Sequence, residues 1–286
     1  MIMKDINKIN DFINIVLTQV CRSFSQNCDF KHELGDVYPY IKYAQLNSNK
    51  QEICDNSYDS LGELYETFLP INIRKDYGQF YTRDHDVINT MLDNLNLLSG
   101  KILEPSCGSG IFIISILKKM VISLKQKELN EEQIINYICE NVYANDIDPN
   151  AIKIAELNVL WFLMPLIVKA KIDNPKFIMK KLHFTNYDFT QKNIFSEKFS
   201  VIVGNPPFVT MYGKRSRNMT EEKRVYYNTF DFVQHKNGNN KFNISMFFVE
   251  NALKILKNKG VLSFILDITF YETAFKDLRK YIVENY

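Results

Sequence analysis

A run of branched apolar residues followed by two consecutive prolines is the feature that most constrains how this chain can fold. Residues 201–203 (Val-Ile-Val) are typical of a buried strand in a parallel sheet, and Gly204 marks the end of that strand. The next four residues, Asn-Pro-Pro-Phe at 205–208, continue neither a strand nor a helix, because proline fixes φ and has no N–H group. The sequence therefore predicts a stiff loop at the carboxyl end of a strand, where open α/β sheets bind their ligands. Asn-Pro alone is more typical of an ordinary turn, so its meaning depends on the neighbouring strands.

A glycine-rich turn follows another short apolar strand. Residues 101–103 (Lys-Ile-Leu) lead into 104–110 (Glu-Pro-Ser-Cys-Gly-Ser-Gly), and an amphipathic helix is predicted from residue 111 to about 124. In a Rossmann-like fold, glycines at this turn allow a cofactor to approach the backbone. A lone Gly-x-Gly is more often a tight turn, but the strand before it and the helix after it favour a cofactor site here.

Acidic residues follow two further predicted strands. The strand over 142–145 ends at Asp146, in the position where this fold holds the hydroxyls of a ribose, and a helix over 150–160 follows. Asp148 is more typical of a cap for that helix than of a ligand contact. A third strand is predicted within 176–184. Asp188, which comes after it, could accept a hydrogen bond from an adenine amino group or form an Asx turn.

A long polar excursion separates the Asn-Pro-Pro-Phe loop from the last predicted elements. Residues 211–241 are predicted to be irregular, and the basic residues of this segment include Lys214, Arg215, Arg217, Lys223 and Arg224. A helix over 243–257 is followed by a turn at 258–260, a strand over 261–266 and a last helix over about 272–284.

The alternation of strands and helices predicts an α/β fold, a Rossmann-like sheet of about five parallel strands. Residues 1–76 show only helical spacing of apolar residues, so we expect an N-terminal helical region there. The predicted sheet belongs to a second region, over residues 77–286.

The composition excludes several classes of protein. The five cysteines form no Cys-x-x-Cys pair and only four histidines are present, so we expect neither a disulfide framework nor a metal site. A net charge of +2 does not mark the chain as a nucleic-acid binder, and any basic surface must come from local clusters. The longest apolar run, residues 159–168, is about half of the ~20 residues that a membrane span needs. We therefore expect a cytoplasmic protein with no membrane segment.

Four motifs taken together resemble those of a known family. They are residues 78–82 (Gly-Gln-Phe-Tyr-Thr), the glycine turn at 104–110, residues 145–148 (Asn-Asp-Ile-Asp) and the loop at 205–208, in the order seen in amino-group DNA methyltransferases. From about residue 58 to 284 the chain resembles the gamma-class N6-adenine type, found in modification subunits of type I systems and in type IIG restriction-modification enzymes. The resemblance implies that residues 77–286 bind S-adenosylmethionine and transfer its methyl group to the N6 amino group of an adenine in double-stranded DNA.

The resemblance assigns the target adenine to Asn205, Pro206 and Phe208. The Asn205 side-chain oxygen and the Pro206 carbonyl would accept the amino hydrogens, which favours the pyramidal nitrogen that forms during attack. The prolines would keep these acceptors rigid, and Phe208 would provide a face for a base taken out of the stack. Because the sulfonium methyl is already activated, alignment matters more than a strong base. Cys107 is then expected to be a small turn residue.

The resemblance also implies a set of cofactor-binding residues. Glu104 and the backbone at the glycine turn would hold the methionine part, with the 80–82 segment beside it, while Asp146 would take the ribose hydroxyls. Ile147 would pack on the adenine ring, and Asp188 would bond its amino group. The full set is Phe80, Tyr81, Thr82, Glu104, Pro105, Gly108, Gly110, Asp146, Ile147 and Asp188.

The sequence departs from the family pattern in three respects. Arg83 stands where the family usually has proline, and Phe208 replaces the commoner tyrosine. The family sheet has seven strands and is normally followed by a target-recognition domain, so we expect both the last strands and that domain to be missing from this sequence. A separate specificity domain or subunit would then be needed, and the isolated chain is expected to methylate weakly or not at all.

Two alternatives share these motifs. A protein methyltransferase acting on a glutamine amide, as in release-factor methylating enzymes, uses the same Asn-Pro-Pro chemistry. The 77–82 segment and the basic excursion argue against it. The second alternative is a non-catalytic subunit that keeps the fold without the activity.

Overall fold

The computed structural model of the chain describes residues 85–172, 178, 180–210, 220–234 and 242–286. The predicted helical region over 1–76 and the predicted cofactor residues Phe80, Tyr81 and Thr82 lie outside these residues.

Five parallel strands form one sheet in the order β3-β2-β1-β4-β5. The chain adds β2 and β3 on one side of β1, then crosses over to add β4 and β5 on the other side. Ile102 of the central strand pairs with Val142 of β2 and with Val201 of β4. The predicted α/β, Rossmann-like sheet is confirmed, and the point between β1 and β4 is the topological switch where such sheets bind ligands. The strands are β1 Ile102–Glu104, β2 Val142–Asn145, β3 His183–Thr185, β4 Phe199–Gly204 and β5 Leu256–Phe264.

Helices connect the strands and cover both faces of the sheet. Within the described residues the α-helices are α1 His85–Asp93, α2 Ile111–Gln126, α3 Glu131–Asn141, α4 Pro149–Lys169, α5 Glu221–Tyr227, α6 Asp231–Gln234, α7 Ile244–Ile255 and α8 Lys276–Asn285. Two short 3₁₀ segments, Ile268–Tyr271 and Thr273–Phe275, precede α8.

Alternate residues of the central strands enter different core layers. Ile102 and Val201 belong to the cluster that is formed with α1 to α4. Leu103 and Ile202 belong to the cluster on the opposite face, where they meet Phe248 of α7. Because both faces of the sheet are covered, the strands β1, β2 and β4 are buried at every position rather than at every second one.

A third core cluster, rich in aromatic residues, lies under α5, α6, α7 and α8. At its centre, Phe247 of α7 stacks on Tyr227 with 4.3 Å between ring centroids, and meets Phe230 edge-on at 4.8 Å. Tyr227 and Phe230 lie inside the excursion that was predicted to be irregular. That prediction was wrong for residues 220–234, because their aromatic side chains pack into the core and stabilise two short helices.

The boundaries of two strands also differ from the prediction. The third strand lies at His183–Thr185, at the end of the predicted window, and the backbone of 180–181 before it is helical. The fifth strand begins at Leu256, so the predicted turn at 258–260 is an irregularity inside it: the pairing register with β4 shifts there, and Lys259 has φ 63°. This part of the edge strand carries exposed polar residues, so its hydrophobic pattern does not mark it as a strand.

None of the described helices is long and apolar enough to cross a membrane.

Glu250 of α7 holds the excursion against the body of the fold. Its side chain is fully buried and accepts hydrogen bonds from the backbone N–H groups of Asp231 and Phe232, both at 3.0 Å. Lys254 donates to the same carboxylate at 2.5 Å and also pairs with Asp231 at 2.9 Å. The carboxylate thereby satisfies N–H groups at the start of α6, which no preceding turn of that helix can satisfy.

We expect Glu250→Ala to lower the free energy of unfolding by about 2–4 kcal/mol, because two N–H groups and Lys254 lose a buried partner. Urea denaturation followed by circular dichroism measures this loss. As a control, Glu284→Ala removes an exposed partner of Lys280 at 3.6 Å and should change the value by less than about 0.5 kcal/mol. Equal effects of the two substitutions would contradict the anchoring role of Glu250.

Candidate functional site

The residues singled out in the sequence collect at the carboxyl edge of the sheet. Glu104 ends β1, Asp146 follows β2, Asp188 follows β3, and Asn205 follows β4. Because all the strands are parallel, these four ends lie along the same edge. The edge includes the switch point between β1 and β4.

The glycine turn after β1 has the backbone conformation that only glycine adopts readily. Gly108 has φ 52° and Gly110 has φ 93°, and the Gly110 N–H donates to the Cys107 carbonyl at 2.8 Å. A Cβ atom on Gly110 would lie 3.1 Å from the Cβ of Ala155. The turn therefore packs directly against α4, and α2 starts from it. Asn158 of α4 adds a bond from its side-chain nitrogen to the Ser109 carbonyl at 2.8 Å.

Cys107 is buried in this turn and is bonded through its backbone. Its N–H donates to the Asn145 carbonyl at 2.9 Å. Burial, and then the nearby Asp146 and Glu104 carboxylates, raise the pKa of the Cys107 thiol well above its ordinary value. A thiol held in its neutral form is a poor nucleophile, which agrees with its predicted role as a turn residue.

Glu104 is a buried carboxyl at the centre of the edge. It lies against the end of β4, since a Cβ atom on Gly204 would be 3.2 Å from its Cγ. Burial raises the pKa of Glu104 well above its ordinary value, and the charge of Asp146 raises it further. Within the described part of the chain, its Oε2 atom has no hydrogen-bond partner. A buried acceptor in that state is costly, and a ligand that brings a donor or a positive charge would satisfy it.

Asp146 joins the ends of β1 and β2. Its Oδ2 accepts from the Gly108 N–H at 2.8 Å, and its Oδ1 accepts from the Asp148 N–H at 2.9 Å. Burial raises the pKa of Asp146 to about 6, although these two hydrogen bonds act in the opposite direction. The adjacent Ile147 side chain is 47% exposed, so an apolar surface lies beside the carboxylate. The Asp148 carbonyl accepts from Ile152 at the start of α4.

Asn145 lies in one of the four motifs but has no role in the sequence-based prediction, although it is the most fully bonded side chain of the edge. Its nitrogen donates to the carbonyls of Pro105 and Tyr187, both at 3.0 Å. Its oxygen accepts from Thr185 Oγ1 at 2.9 Å and from the Tyr187 N–H at 3.0 Å. This fully buried amide therefore links the loops after β1 and β3 to the end of β2. The sequence feature that could have indicated this role is a polar residue at the last position of a predicted buried strand.

The Asp188 carboxylate forms a local turn, one of the two roles that its sequence position allows. Its Oδ1 atom accepts from the N–H of Thr190 at 2.9 Å and from the Thr190 hydroxyl at 2.7 Å. The Asx-turn interpretation is therefore correct for this oxygen. The adenine contact stays a prediction.

The Asn-Pro-Pro-Phe loop lies beside the glycine turn. Ser106 donates its hydroxyl to the Asn205 carbonyl at 3.2 Å, and the Ile265 N–H donates to the Gly204 carbonyl at 3.0 Å. The Asn205 side-chain oxygen and Pro206 are buried, whereas Phe208 is partly exposed. The loop is thus held from both neighbouring strands and keeps an aromatic ring at the surface.

The structure thus brings together most of the predicted site residues. A hydrogen bond links Gly108 to Asp146, and the charge of Asp146 acts on Glu104. Asn145 connects these residues to the Asp188 loop, and Ser106 connects them to Asn205. The predicted residues of the 80–82 segment lie outside the described part of the chain.

A comparison with protein families places this geometry in context. The model of the family described as Eco57I restriction-modification methylase matches residues 140–286, just over half of the chain. The type II restriction enzyme and methyltransferase RM.Eco57I of Escherichia coli is 27% identical over 291 residues, covering 80% of this chain and 28% of that protein. The type II methyltransferase M.BstVI of Geobacillus stearothermophilus is 22% identical over 221 residues, covering 73% and 37%. This chain therefore spans less than half the length of either relative.

Solved structures with the same fold include two proteins in complex with DNA. The cryo-electron microscopy structure of the DrdV–DNA complex aligns with 88% of this chain and 26% of that chain, at a TM-score of 0.58 and 18% identity. The ATP-dependent type ISP restriction-modification enzyme LlaBIII bound to DNA aligns with 92% and 21%, at a TM-score of 0.59 and 14% identity. At these identities the similarity establishes the fold.

We expect Asn145→Ala to lower the free energy of unfolding by about 3–5 kcal/mol, since it leaves several buried backbone groups without a partner. Asn141→Ala is the matched control, because Asn141 donates to the Tyr137 carbonyl of its own helix at 2.9 Å, and its loss should cost less than about 1 kcal/mol. Urea denaturation of both variants measures the difference. A loss at Asn145 no larger than that at Asn141 would show that the edge does not depend on this amide.

Proposed function

Because the chain belongs to the Eco57I restriction-modification methylase family, we propose that it transfers a methyl group from S-adenosylmethionine to the N6 amino group of an adenine in double-stranded DNA. The observation that carries the proposal is the position of the Asn205 loop. It is bonded through Ser106 to the glycine turn, so a target base at Asn205 and a cofactor at Gly108 would be neighbours across the switch point.

The buried carboxylates fit the cofactor that we propose. S-adenosylmethionine carries an ammonium group and a sulfonium, and the unsatisfied Oε2 of Glu104 would accept a donor from the methionine part. Asp146 would hold the ribose hydroxyls, and the exposed Ile147 beside it offers an apolar surface for the adenine ring. Gly108 and Gly110, with Pro105 before them, would let the ligand approach the backbone. When bound, the cofactor supplies an activated methyl group.

The Asn205 loop supplies acceptors for the amino group that receives the methyl. The lone pair of an adenine amino nitrogen is delocalised into the ring, so the nitrogen is a poor nucleophile. The Asn205 side-chain oxygen and the Pro206 carbonyl would accept its two hydrogens and stabilise the pyramidal nitrogen of the transition state. Phe208, partly exposed beside them, would stack on a base that has left the duplex.

The same loop chemistry would suit the amide of a glutamine side chain. Family membership favours DNA, since the family is described as restriction-modification methylases and RM.Eco57I is named a restriction enzyme and methyltransferase. An assay with labelled S-adenosylmethionine tests this choice by offering duplex DNA and a release-factor protein separately. N6-methyladenine in the digested DNA is the expected product, and an excess of the chain over DNA makes weak methylation measurable. Labelling of the protein alone would refute the DNA proposal.

The proposed partners are duplex DNA and, for sequence recognition, a specificity domain or subunit.

We expect Asn205→Ala to slow methyl transfer by roughly 100-fold or more, because a transition-state acceptor is lost. Its affinity for S-adenosylmethionine should stay within about twofold of the unsubstituted chain, since the side chain is assigned to the target base. Single-turnover transfer and calorimetry measure the two quantities, and Asn89→Ala on the exposed face of α1 is the control. A large loss of cofactor affinity in Asn205→Ala would contradict the assignment.

We expect cofactor binding to weaken as the pH falls below about 6, the pKa to which burial raises Asp146. The ionised carboxylate is the form that accepts two ribose hydroxyls, so protonation competes with binding. The dissociation constant should then rise by up to about tenfold per pH unit below that value and stay constant above it. Calorimetry between pH 5 and 8 measures this profile. In Asp146→Asn the profile should become flat, and a dependence that persists there would assign the titration to Glu104.

A further inference from the structure

The Asp188 carboxylate is held from one side by a single residue. Both of the hydrogen bonds described for its side chain end on Oδ1, and both come from Thr190, through its N–H at 2.9 Å and its hydroxyl at 2.7 Å. Two bonds to one oxygen restrict rotation of the carboxyl group. Within the described residues both bonds use Oδ1, so Oδ2 is the oxygen available to a ligand donor.

The Thr190 hydroxyl is in turn close to a tyrosine from the excursion. Thr190 Oγ1 and the Tyr227 hydroxyl lie 3.5 Å apart, and both residues are buried. A threonine hydroxyl has one hydrogen, which is given to Asp188, so the tyrosine must be the donor of the second bond. The three side chains therefore form a directed series in which Tyr227 donates to Thr190 and Thr190 donates to Asp188.

Tyr227 is well placed to act as a permanent donor. Its ring stacks on Phe247 with an interplanar angle of 29°, which fixes the direction of the hydroxyl. Burial raises the pKa of the Tyr227 phenol, and the charge of Asp188 raises it further. The net effect keeps the phenol protonated at neutral pH.

A neighbouring tyrosine fixes the backbone of the same loop. The Tyr226 hydroxyl accepts from the Lys192 N–H at 2.7 Å and donates to the Thr190 carbonyl at 3.3 Å. Asn251 of α7 donates to the Phe189 carbonyl at 2.8 Å. Tyr226 of α5 thus bonds the backbone of the loop over 188–192. Tyr227, the next residue, contacts the Thr190 side chain of the same loop.

We propose that Thr190 and Tyr227 are positioning residues that orient Asp188 to recognise the 6-amino group of a bound adenosyl ligand. The proposal rests on the function proposed above and adds a specificity determinant to it. It also gives α5 a part in the proposed cofactor site, although this helix comes between the two residues of the Thr210–Asn243 bridge in the sequence. A change in how this helix packs would alter adenine recognition without any contact to the ligand.

The proposal predicts a defined preference between two ligands. S-adenosylhomocysteine has an amino group at position 6 of the base, whereas S-inosylhomocysteine has a carbonyl oxygen there and carries a hydrogen on the adjacent N1. A carboxylate oxygen held toward that position accepts from the amino group and repels the carbonyl. We expect the full chain to prefer the adenosyl ligand by roughly 10- to 100-fold, the range typical of a hydrogen bond to a charged group.

Calorimetry with both ligands tests the positioning role. Thr190→Val keeps the size of the side chain and removes its hydroxyl, and should reduce the preference to about threefold or less. Tyr227→Phe keeps the stack on Phe247 and removes one donor, and should reduce the preference by about two- to fivefold. Both variants should bind S-inosylhomocysteine within about twofold of the unsubstituted chain, because only recognition of the amino group is affected.

Two control variants separate positioning from general stability. Tyr226→Phe removes a hydroxyl that bonds the backbone of the same loop, and it should weaken both ligands alike and leave the preference unchanged. Tyr137→Phe removes a hydroxyl bonded to the Leu98 carbonyl at 3.2 Å, away from the site, and should alter neither affinity.

The outcomes are distinct. An unchanged preference in both Thr190→Val and Tyr227→Phe, or an equal weakening of both ligands, overturns the positioning role. A chain that binds the adenosyl ligand without preferring it refutes the role of Asp188 and leaves the proposed methyl transfer standing. A chain that binds neither ligand overturns this proposal and the proposed cofactor together. If Thr190→Val does not fold, the smaller change in Tyr227→Phe still decides the question.

Discussion

The geometry of the site depends on the amide of Asn145, a polar side chain buried at the end of a parallel strand. Parallel strands bring several loops to one edge, where the backbone groups of those loops need partners away from water. Asn145 supplies two donor and two acceptor contacts, which hold the loops after β1 and β3 at fixed positions. Asp146 is the next residue in the chain, so the bonds of Asn145 also help to hold the Asp146 carboxylate beside Gly108.

A fixed and buried edge has an electrostatic consequence. Glu104 and Asp146 are both removed from water, and each carboxyl has a raised pKa, with the charge of Asp146 contributing to the shift of Glu104. For Asp146 the folded chain holds its proton up to about pH 6, whereas the ordinary pKa is 3.8. The contribution of this group to stability therefore decreases as the pH rises between these values. At neutral pH the ionised site costs folding free energy, and a bound ligand with donors or positive charge offsets that cost.

The excursion after the Asn-Pro-Pro-Phe loop is part of this arrangement, since its described residues are built into the fold. Glu250 accepts hydrogen bonds from N–H groups at the start of α6, and Tyr227 stacks on Phe247. The same helices reach the Asp188 loop through the hydroxyls of Tyr226 and Tyr227. The described residues of the excursion therefore contact the loop at the proposed adenine end of the cofactor, although their composition predicts a polar loop.

The sequence by itself determined the fold class, the order of the five strands, and the loops at the carboxyl ends of the strands. Hydrophobic runs, glycine turns and prolines act over a few neighbouring residues, so they can be recognised without a structure. Only the tertiary structure decided the role of Asn145, the Glu250 cap, the contact from Tyr227 to Thr190 and the early start of β5. Those features depend on partners 18 to 42 residues away, or on an exposed edge strand, and such contacts leave no periodic pattern along the chain.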